Sequence, residues 1–295
     1  MLVVTAFFAS MLSQYAQGGR IAYVSVKTDK ASYVEGENIS FKLVPLASDV
    51  FFKGTGIAGT DGNYYGDPVG AIHIVRIPDD IDPDQIIGDR NMLDKVNSWD
   101  GRGMGVSFDY FNSTDGAMSL SWNCTVMTFT YQDQFTPPSI TYHKALGGNY
   151  LIYPTIMPLA GHTVKFQLDR NAIFHLDTLE LSAVPGLSGT MLTYNMTVSA
   201  PASLAGDSHC TMSWSTNGMT GQEGNGSGSN KVEFDIASGG SHIFTVQQQV
   251  YVYAGMQSFQ LTGWIATSWG NYSFEKTDWY NDGRWYDSPQ YYSNY

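Results

Sequence analysis

The stretch of sequence that decides the fold is Tyr23-Val-Ser-Val-Lys-Thr-Asp-Lys-Ala-Ser-Tyr-Val-Glu-Gly-Glu-Asn-Ile-Ser-Phe-Lys-Leu43. Two sets of apolar residues alternate in it with polar ones, namely Val24 and Val26, then Ile39, Phe41 and Leu43. A period of two puts alternate side chains on one face, as in a half-buried β-strand. Between the sets stands Gly36, a residue that accepts the positive φ of a tight turn. The pattern therefore predicts two β-strands joined by a turn.

The element from Thr28 to Glu37 has the form Thr-Asp-Lys-x-x-Tyr-x-x-Gly-Glu. Placed between two such strands, it resembles the opening of immunoglobulin-like (Ig-like) and macroglobulin-type (MG2-like) domains of secreted and cell-surface proteins. The resemblance covers roughly the first 25 residues of a domain of about 100 residues. The resemblance implies a β-sandwich fold but does not indicate a ligand or a reaction.

Composition narrows the classes of protein that fit. The chain has 295 residues, more than one β-sandwich requires, so two or three domains are expected. Charged residues make up 14%, the formal charge is −12, and no cluster of Lys and Arg occurs. Binding to nucleic acid or to an anionic membrane needs a basic surface, so both partners are disfavoured.

Strand-like alternation recurs beyond the opening. The sets are Val164, Phe166, Leu168; Leu192, Tyr194, Met196, Val198; Cys210, Met212, Trp214; Val232, Phe234, Ile236; Phe244, Val246, Val250, Val252; and Phe259, Leu261, Ile265. Turn residues separate them, which favours sandwiches over α/β folds. We therefore predict an all-β protein of tandem Ig-like sandwich domains, with one short helix in a loop and an aromatic C-terminal tail.

The domain boundaries follow from these sets and from the two ends of the chain. The prediction assigns 1–18 to a signal peptide, 19–145 to a first sandwich with a long insertion at 54–105, 146–268 to a second sandwich, and 269–295 to the tail. An apolar run at 2–12, followed by small residues, is typical of a secretory signal peptide. No Lys or Arg precedes the run, so an N-terminal anchor or assembly helix is the alternative reading.

The helix is expected where Asp82 can cap it and Pro83 can occupy its first position. The same stretch carries the best metal candidate, because Asp80, Asp82 and Asp84 match the opening ligands of a calcium loop. Gln85 and Asn91 replace the glycine and the closing glutamate of an EF-hand, which excludes that motif. A looser structural Ca²⁺ site and a solvated acidic cap remain as alternatives; no other cofactor is expected.

Two cysteines, Cys124 and Cys210, form a disulfide if the protein is secreted and if both belong to one domain. Six Asn-x-Ser/Thr sequons offer glycosylation sites. They are Asn38, Asn112, Asn123, Asn195, Asn225 and Asn271. Their use depends on whether the organism glycosylates asparagine.

Aromatic residues crowd the C-terminus, and so many of them are expected to pack on their own sandwich or on a neighbouring subunit. Three tryptophans could instead stack on a sugar ring or contact a partner, namely Trp269, Trp279 and Trp285.

Catalytic motifs such as Gly-x-Ser-x-Gly and His-Glu-x-x-His do not occur. The stretch from Ala160 to His175 resembles the strand pair that delivers the first copper ligand in cupredoxins, with Cys210 as the thiolate. The second histidine of a blue-copper site is missing after Cys210. A degenerate cupredoxin-like electron-transfer protein is therefore the least favoured reading.

The leading hypothesis is a secreted, non-enzymatic structural or adhesion protein of the cell surface. It would associate with itself or with other surface proteins and glycans. Exposed strand edges can be completed by a strand from another subunit, and residues 19–30 or the aromatic tail could donate that strand to build a filament. The alternative is an extracellular carbohydrate-binding module or accessory subunit.

Overall fold

The computed structural model describes residues 21–53, 56–60, 62, 64–77, 79, 81–88, 109–112, 117–130, 139–158, 163–219 and 228–286. Within these ranges the regular structure is β-strand apart from helix α1 (Pro83–Gly88) and one 3-10 turn (Arg170–Ala172). The strands form two sandwiches, and each encloses a hydrophobic core of its own. The prediction of a tandem all-β architecture is confirmed.

The first sandwich consists of two facing sheets. Its strands are β1 (Ile21–Thr28), β2 (Ser32–Val34), β3 (Ile39–Pro45), β4 (Val50–Lys53), β5 (Gly56–Gly59), β6 (Tyr64–Arg76), β7 (Asp109–Asn112), β8 (Met118–Trp122), β11 (Gly148–Pro158), β12 (Thr163–Phe166) and β13 (Ile173–Asp177). One sheet has the order β12-β1-β3-β8-β7 and the other β2-β13-β11-β6-β5-β4. The hairpin of β9 (Thr125–Thr130) and β10 (Ser139–Lys144) leaves this sandwich and joins a sheet of the second.

The opening motif forms the strands that its alternation predicted. The five apolar residues of the motif are each at most 2% exposed, namely Val24, Val26, Ile39, Phe41 and Leu43. β1 pairs antiparallel with β3, with Val26 opposite Leu43. The connection is more than a turn, because β2 lies within it and crosses to the opposite sheet, where it pairs in parallel with β13. Gly36 has a φ of +83° in the turn that follows β2.

Four aromatic rings hold the two sheets of the first sandwich together. Trp122 comes from one sheet, and Tyr150 and Phe174 come from the other. The Tyr150 and Phe174 rings stack with centroids 5.5 Å apart, while the Trp122 ring lies 5.6 Å from Tyr150 and 6.4 Å from Phe174. Tyr33 meets Phe174 edge to face at 5.5 Å. Because all four are almost completely buried, this cluster forms the centre of the first core.

Helix α1 begins as the sequence predicts. The Asp82 carboxylate accepts a hydrogen bond from the Asp84 backbone N–H at 2.9 Å, and Pro83 is the first helical residue. The helix places Ile86, which is 1% exposed, in the first core. The prediction of a short helix in a loop of the first domain is confirmed.

The second sandwich pairs a small sheet with a large one. Its strands are β14 (Glu180–Ser188), β15 (Met191–Ser199), β16 (Ser208–Met219), β17 (Gly228–Ile236), β18 (Ser241–Gln249), β19 (Gln257–Ala266), β20 (Asn271–Asn281) and β21 (Arg284–Tyr286). The small sheet has the order β14-β15-β18, and the large sheet runs β17-β16-β19-β20-β10-β9 with β21 also paired to β20. The buried Trp214 lies on β16, as the central tryptophan of Ig-like sandwiches lies on their third strand.

The boundary between the sandwiches lies near Asp177. This is about thirty residues after the predicted boundary at 145/146. β11 pairs with β6 over most of its length, and β13 pairs with β11 and β2. Leu176 belongs to the first core, whereas Leu179 belongs to the second. The last strands of the first sandwich are therefore those that follow residue 145.

Neither segment expected to donate a strand is free in the described structure. β1 covers most of 19–30 and lies between β3 and β12 inside its own sheet. At the other end, β21 pairs with β20, and the Trp285 ring packs 5.7 Å from Phe259 and 5.0 Å from Tyr280. The described part of the tail docks on its own sandwich, while 287–295 lie outside the described residues.

Candidate functional site

A carboxylate from the opening motif joins the two sandwiches. Glu35, which follows β2, accepts hydrogen bonds from the Thr178 hydroxyl and from the Tyr272 hydroxyl, the latter at 3.0 Å. Thr178 lies in the segment between the sandwiches, and Tyr272 lies on β20 of the second one. Both are almost completely buried, so the carboxylate satisfies two hydroxyls that water cannot reach. We call Glu35, Lys144, Thr178 and Tyr272 the junction cluster.

The positive charge of the junction cluster comes from Lys144, the last residue of β10. Its ammonium group forms an ion pair with Glu35 and donates to the Trp269 carbonyl at 2.5 Å. Gly270 gives it room, because a Cβ there would lie 2.7 Å from the Lys144 Cε. Burial raises the pKa of Tyr272 above its usual value, so this phenol remains a hydrogen-bond donor at neutral pH. The cluster is therefore one of the links that fix the first sandwich to the second.

We predict that Glu35→Ala lowers the free energy of unfolding by about 2 kcal/mol, because it leaves two buried hydroxyls without their charged acceptor. It should also loosen the joint, which small-angle X-ray scattering will record as a larger maximum dimension. Glu37→Ala is the matched control, since the Glu37 carboxylate accepts hydrogen bonds from Lys30 and from the Val34 N–H of its own hairpin. Equal scattering curves for Glu35→Ala and wild type would contradict the role given to the cluster.

A polar cavity of about 280 Å³ lies beside this joint. Its charged side chains are already matched, because Arg76 bonds the Gly147 carbonyl at 2.7 Å and Asp79 at 2.8 Å. His175 contacts Asn149 at 3.3 Å and lies 3.9 Å from Glu180. These pairings hold the chain passing between the sandwiches, and we assign the lining residues to that structural role.

The predicted disulfide does not form. Cys124 and Cys210 are both free thiols; Cys124 packs against the first core, and Cys210 is buried in the second. The pairing prediction was wrong because the cysteines belong to different sandwiches. Burial raises the pKa of Cys124 to about 12 and also raises the pKa of Cys210, so both remain protonated at neutral pH.

The copper prediction fails on placement, while the calcium site stays a prediction. His175 lies in the first sandwich and Cys210 in the second, so the cupredoxin-like pair of ligands is not brought together. Asp82 caps α1, and Asp84 forms an ion pair with Arg170 at 3.3 Å, while Asp80 lies outside the described residues. The described ranges contain no group of three His, Cys, Asp or Glu side chains able to hold a metal.

Four of the six sequon asparagines have exposed side chains in the described structure, namely Asn38, Asn123, Asn195 and Asn271. The side chain of Asn112 and all of Asn225 lie outside the described residues. Asn195 is at the centre of the small sheet and accepts a hydrogen bond from Thr245 at 2.9 Å. Glycosylation of these sites stays a prediction.

The three tryptophans proposed to face a ligand have different positions. Trp269 packs against the second core and donates to the Ala205 carbonyl at 2.9 Å, and Trp285 also packs there. Trp279 is half-buried on the outer face of the large sheet. Sequence reasoning missed Trp264, which is 41% exposed on that same face. The alternation of Leu261 and Ile265 contained the signal, because it turns residue 264 outward.

Comparisons with known proteins leave the chain without an assigned family. No protein-family model and no curated protein matches it. Similar solved structures include the adhesin InvE of Yersinia pseudotuberculosis, with 8% identity and a TM-score of 0.23 over 88% of this chain and 59% of that one. The Escherichia coli adhesin FdeC has 12% identity and a TM-score of 0.24 over 88% and 64%. The sporulation control protein Spo0M of Bacillus subtilis has 12% and 0.22 over 34% and 48%.

In these three comparisons the chain matches between about half and two thirds of the other protein's length. TM-scores of this size do not establish a shared fold. The all-β assignment therefore depends on the strands of this chain alone. Among the described residues, no helix has both the length and the apolar character that crossing a bilayer demands.

Proposed function

We propose that the protein is a non-enzymatic structural or adhesion protein of an extracellular surface, and that it associates with itself through the free edge of β18. Low charge density, the apolar N-terminus and the exposed sequons support an extracellular setting. The single observation that carries the self-association is the chemistry of the β18 edge.

Edge strands of soluble proteins usually carry charge or proline, because these residues discourage pairing with another chain. Two other edges of the second sandwich, β17 and β14, follow this rule, whereas β9 (Thr-Val-Met-Thr-Phe-Thr), the last strand of the large sheet, carries neither charge nor proline. β17 carries Lys231, Glu233 and Asp235, and β14 carries Glu180 and Pro185. β18 has nine residues, Ser-His-Ile-Phe-Thr-Val-Gln-Gln-Gln, without Asp, Glu, Lys, Arg or Pro. Among the described strands, it is the edge of the small sheet that carries neither charge nor proline.

The sequence of β18 is complementary to itself. In an antiparallel pair of two copies centred on Thr245, Ile243 lies opposite Gln247 of the other copy, and no like charges meet. Ile243 is 71% exposed in the single chain and would pack beside the Gln247 side chain of the other copy in this pairing. Two small sheets would become one continuous sheet of six strands, with a two-fold axis at Thr245.

We predict that the wild-type protein dimerises in a concentration-dependent manner and that Thr245→Lys weakens the dimer by about tenfold or more, about 1.4 kcal/mol. The substitution sets two ammonium groups opposite each other at the axis. Val184→Lys is the matched control, because Val184 is 58% exposed on the other edge strand of the same sheet. Sedimentation equilibrium measures both.

A wild-type protein that stays monomeric at every concentration would overturn the proposal. Equal weakening by Thr245→Lys and Val184→Lys would also overturn it, because the effect would then come from added charge and not from the edge of β18. Circular dichroism on each variant confirms that the fold is retained.

A further inference from the structure

We propose that the outer face of the large sheet in the second sandwich is a binding track for an extended, uncharged polysaccharide. This inference goes beyond the self-association of β18, which belongs to the opposite sheet. The track is formed by the central strands β16, β19 and β20, whose alternate residues point away from the core. It begins at Trp264 and ends at Trp279.

Trp264 is flanked by small side chains. In the register of the sheet, Ser213 of β16 and Ser273 of β20 lie on either side of it. Along its own strand, the neighbours on the same face are Thr262 and Ala266. Because none of these four side chains is large enough to cover an indole, the ring of Trp264 stays accessible, and 41% of the residue is exposed.

An exposed indole on a flat polar sheet suits a sugar ring. The face of the indole carries partial negative charge, and the axial C–H groups of a pyranose present partial positive charge to it. The apolar area removed from water adds to this attraction. A lone tryptophan in an apolar patch would instead indicate a protein partner, but the neighbours of Trp264 on this face carry mainly hydroxyl groups.

Hydrogen-bonding groups fill the space between the two tryptophans. Ser215 and Thr262 form a hydrogen bond of 3.0 Å, and the Gln260 amide donates to the Glu275 carboxylate at 2.6 Å. Hydroxyl and amide groups both donate to and accept from sugar hydroxyls, and a carboxylate accepts from them. Glu275 and the chain's charge of −12 disfavour an anionic glycan, so the ligand is neutral.

The track has the length of an oligosaccharide. Trp279 lies opposite Ser258 on β19, six residues along that strand from Trp264. At about 3.3 Å per residue this separation is about 20 Å, enough for several sugar rings in a row. Two aromatic positions at the ends, with polar groups between them, favour an extended chain over a single monosaccharide.

The test uses the full chain and a panel of soluble neutral polysaccharides, namely a β-glucan, a xylan, a mannan and a starch. Affinity gel electrophoresis identifies the polysaccharide that retards the protein, and isothermal titration calorimetry measures its binding. Trp264→Ala should weaken binding by about tenfold or more, and Trp279→Ala should also weaken it. Tyr251→Ala is the matched control, because Tyr251 is an aromatic residue that is 58% exposed in the loop before β19 and does not belong to the strands of the track.

Retention of binding by Trp264→Ala would overturn the inference, as would equal losses for Trp264→Ala and Tyr251→Ala or the failure of every polysaccharide in the panel to retard the wild type. Thermal melts followed by circular dichroism show whether each variant is folded. Thr245→Lys, which weakens the β18 pairing, should bind the polysaccharide with unchanged affinity per subunit. The two proposals therefore fail or succeed separately.

Discussion

Trp122→Ala is expected to lower the free energy of unfolding by about 3–5 kcal/mol. The side chain is completely buried, and its ring contacts Tyr150 and Phe174 of the opposite sheet. Its indole N–H also donates to the Thr125 carbonyl at 3.0 Å, at the point where the chain leaves β8 for the β9–β10 hairpin. Removal of the ring leaves a cavity between the sheets and also leaves the Thr125 carbonyl without its donor.

Urea unfolding followed by circular dichroism measures this loss. Trp264→Ala is the control for deletion of an indole, because a surface substitution of this kind normally changes stability by about 0.5 kcal/mol or less. Trp122→Phe should fall between the wild type and Trp122→Ala, since it retains a ring but loses the hydrogen bond. Similar midpoints for Trp122→Ala and Trp264→Ala would show that the aromatic cluster is not the centre of the first core.

The second large effect is expected from Gly263→Ala, which should destabilise the second sandwich by about 3 kcal/mol or more through overpacking. Gly263 lies on β19 opposite Trp214 and Phe274. A Cβ at this position would stand 2.2 Å from the Ser213 carbonyl oxygen and 2.5 Å from the Phe274 ring. Backbone atoms cannot move out of the way as a side chain does, so β16 and β19 must separate.

A double variant shows which contact matters more. Gly263→Ala combined with Phe274→Leu removes the clash with the ring but leaves the clash with the Ser213 carbonyl. We expect this pair to recover only part of the lost stability, measured by the midpoint of urea unfolding. Full recovery would mean that the ring alone excludes a side chain at residue 263, and unchanged stability in Gly263→Ala itself would contradict the close packing of these strands.

Sequence reasoning succeeded where a local pattern has a local cause. The alternation in β15 predicts which face is buried, and Leu192, Tyr194 and Val198 are each 1% exposed or less. The helix start was readable from Asp82 and Pro83 for the same reason, because an N-cap and its helix adjoin in sequence. Period and capping depend on neighbouring residues, so a single chain is enough to show them.

Features that depend on which strands meet in space were not predictable. The alternation of apolar and polar residues in a strand does not indicate which sandwich the strand belongs to. For this reason β11 to β13 were assigned to the wrong domain, and a disulfide was predicted between cysteines of two different cores. Glu35 looked like a turn residue, yet three of its partners come from segments more than a hundred positions away, Lys144, Thr178 and Tyr272. Trp264 became a candidate only once its neighbours across the sheet were known to be small and polar.

The two proposed surfaces lie on opposite sides of one sandwich. The free edge belongs to the small sheet, and the polysaccharide track is the outer face of the large sheet. A dimer formed through β18 would therefore leave both tracks uncovered and would present two copies of the track at once. The junction cluster would hold the first sandwiches in a fixed direction relative to these surfaces.

Amide hydrogen exchange of β18, measured at low and high concentrations of the wild-type protein, shows directly whether this edge pairs with a second copy. We expect amides in 241–249 to become protected as the concentration rises, while amides of the charged edge strand β17 exchange at an unchanged rate. Exchange in β18 that is independent of concentration would contradict self-association through this edge.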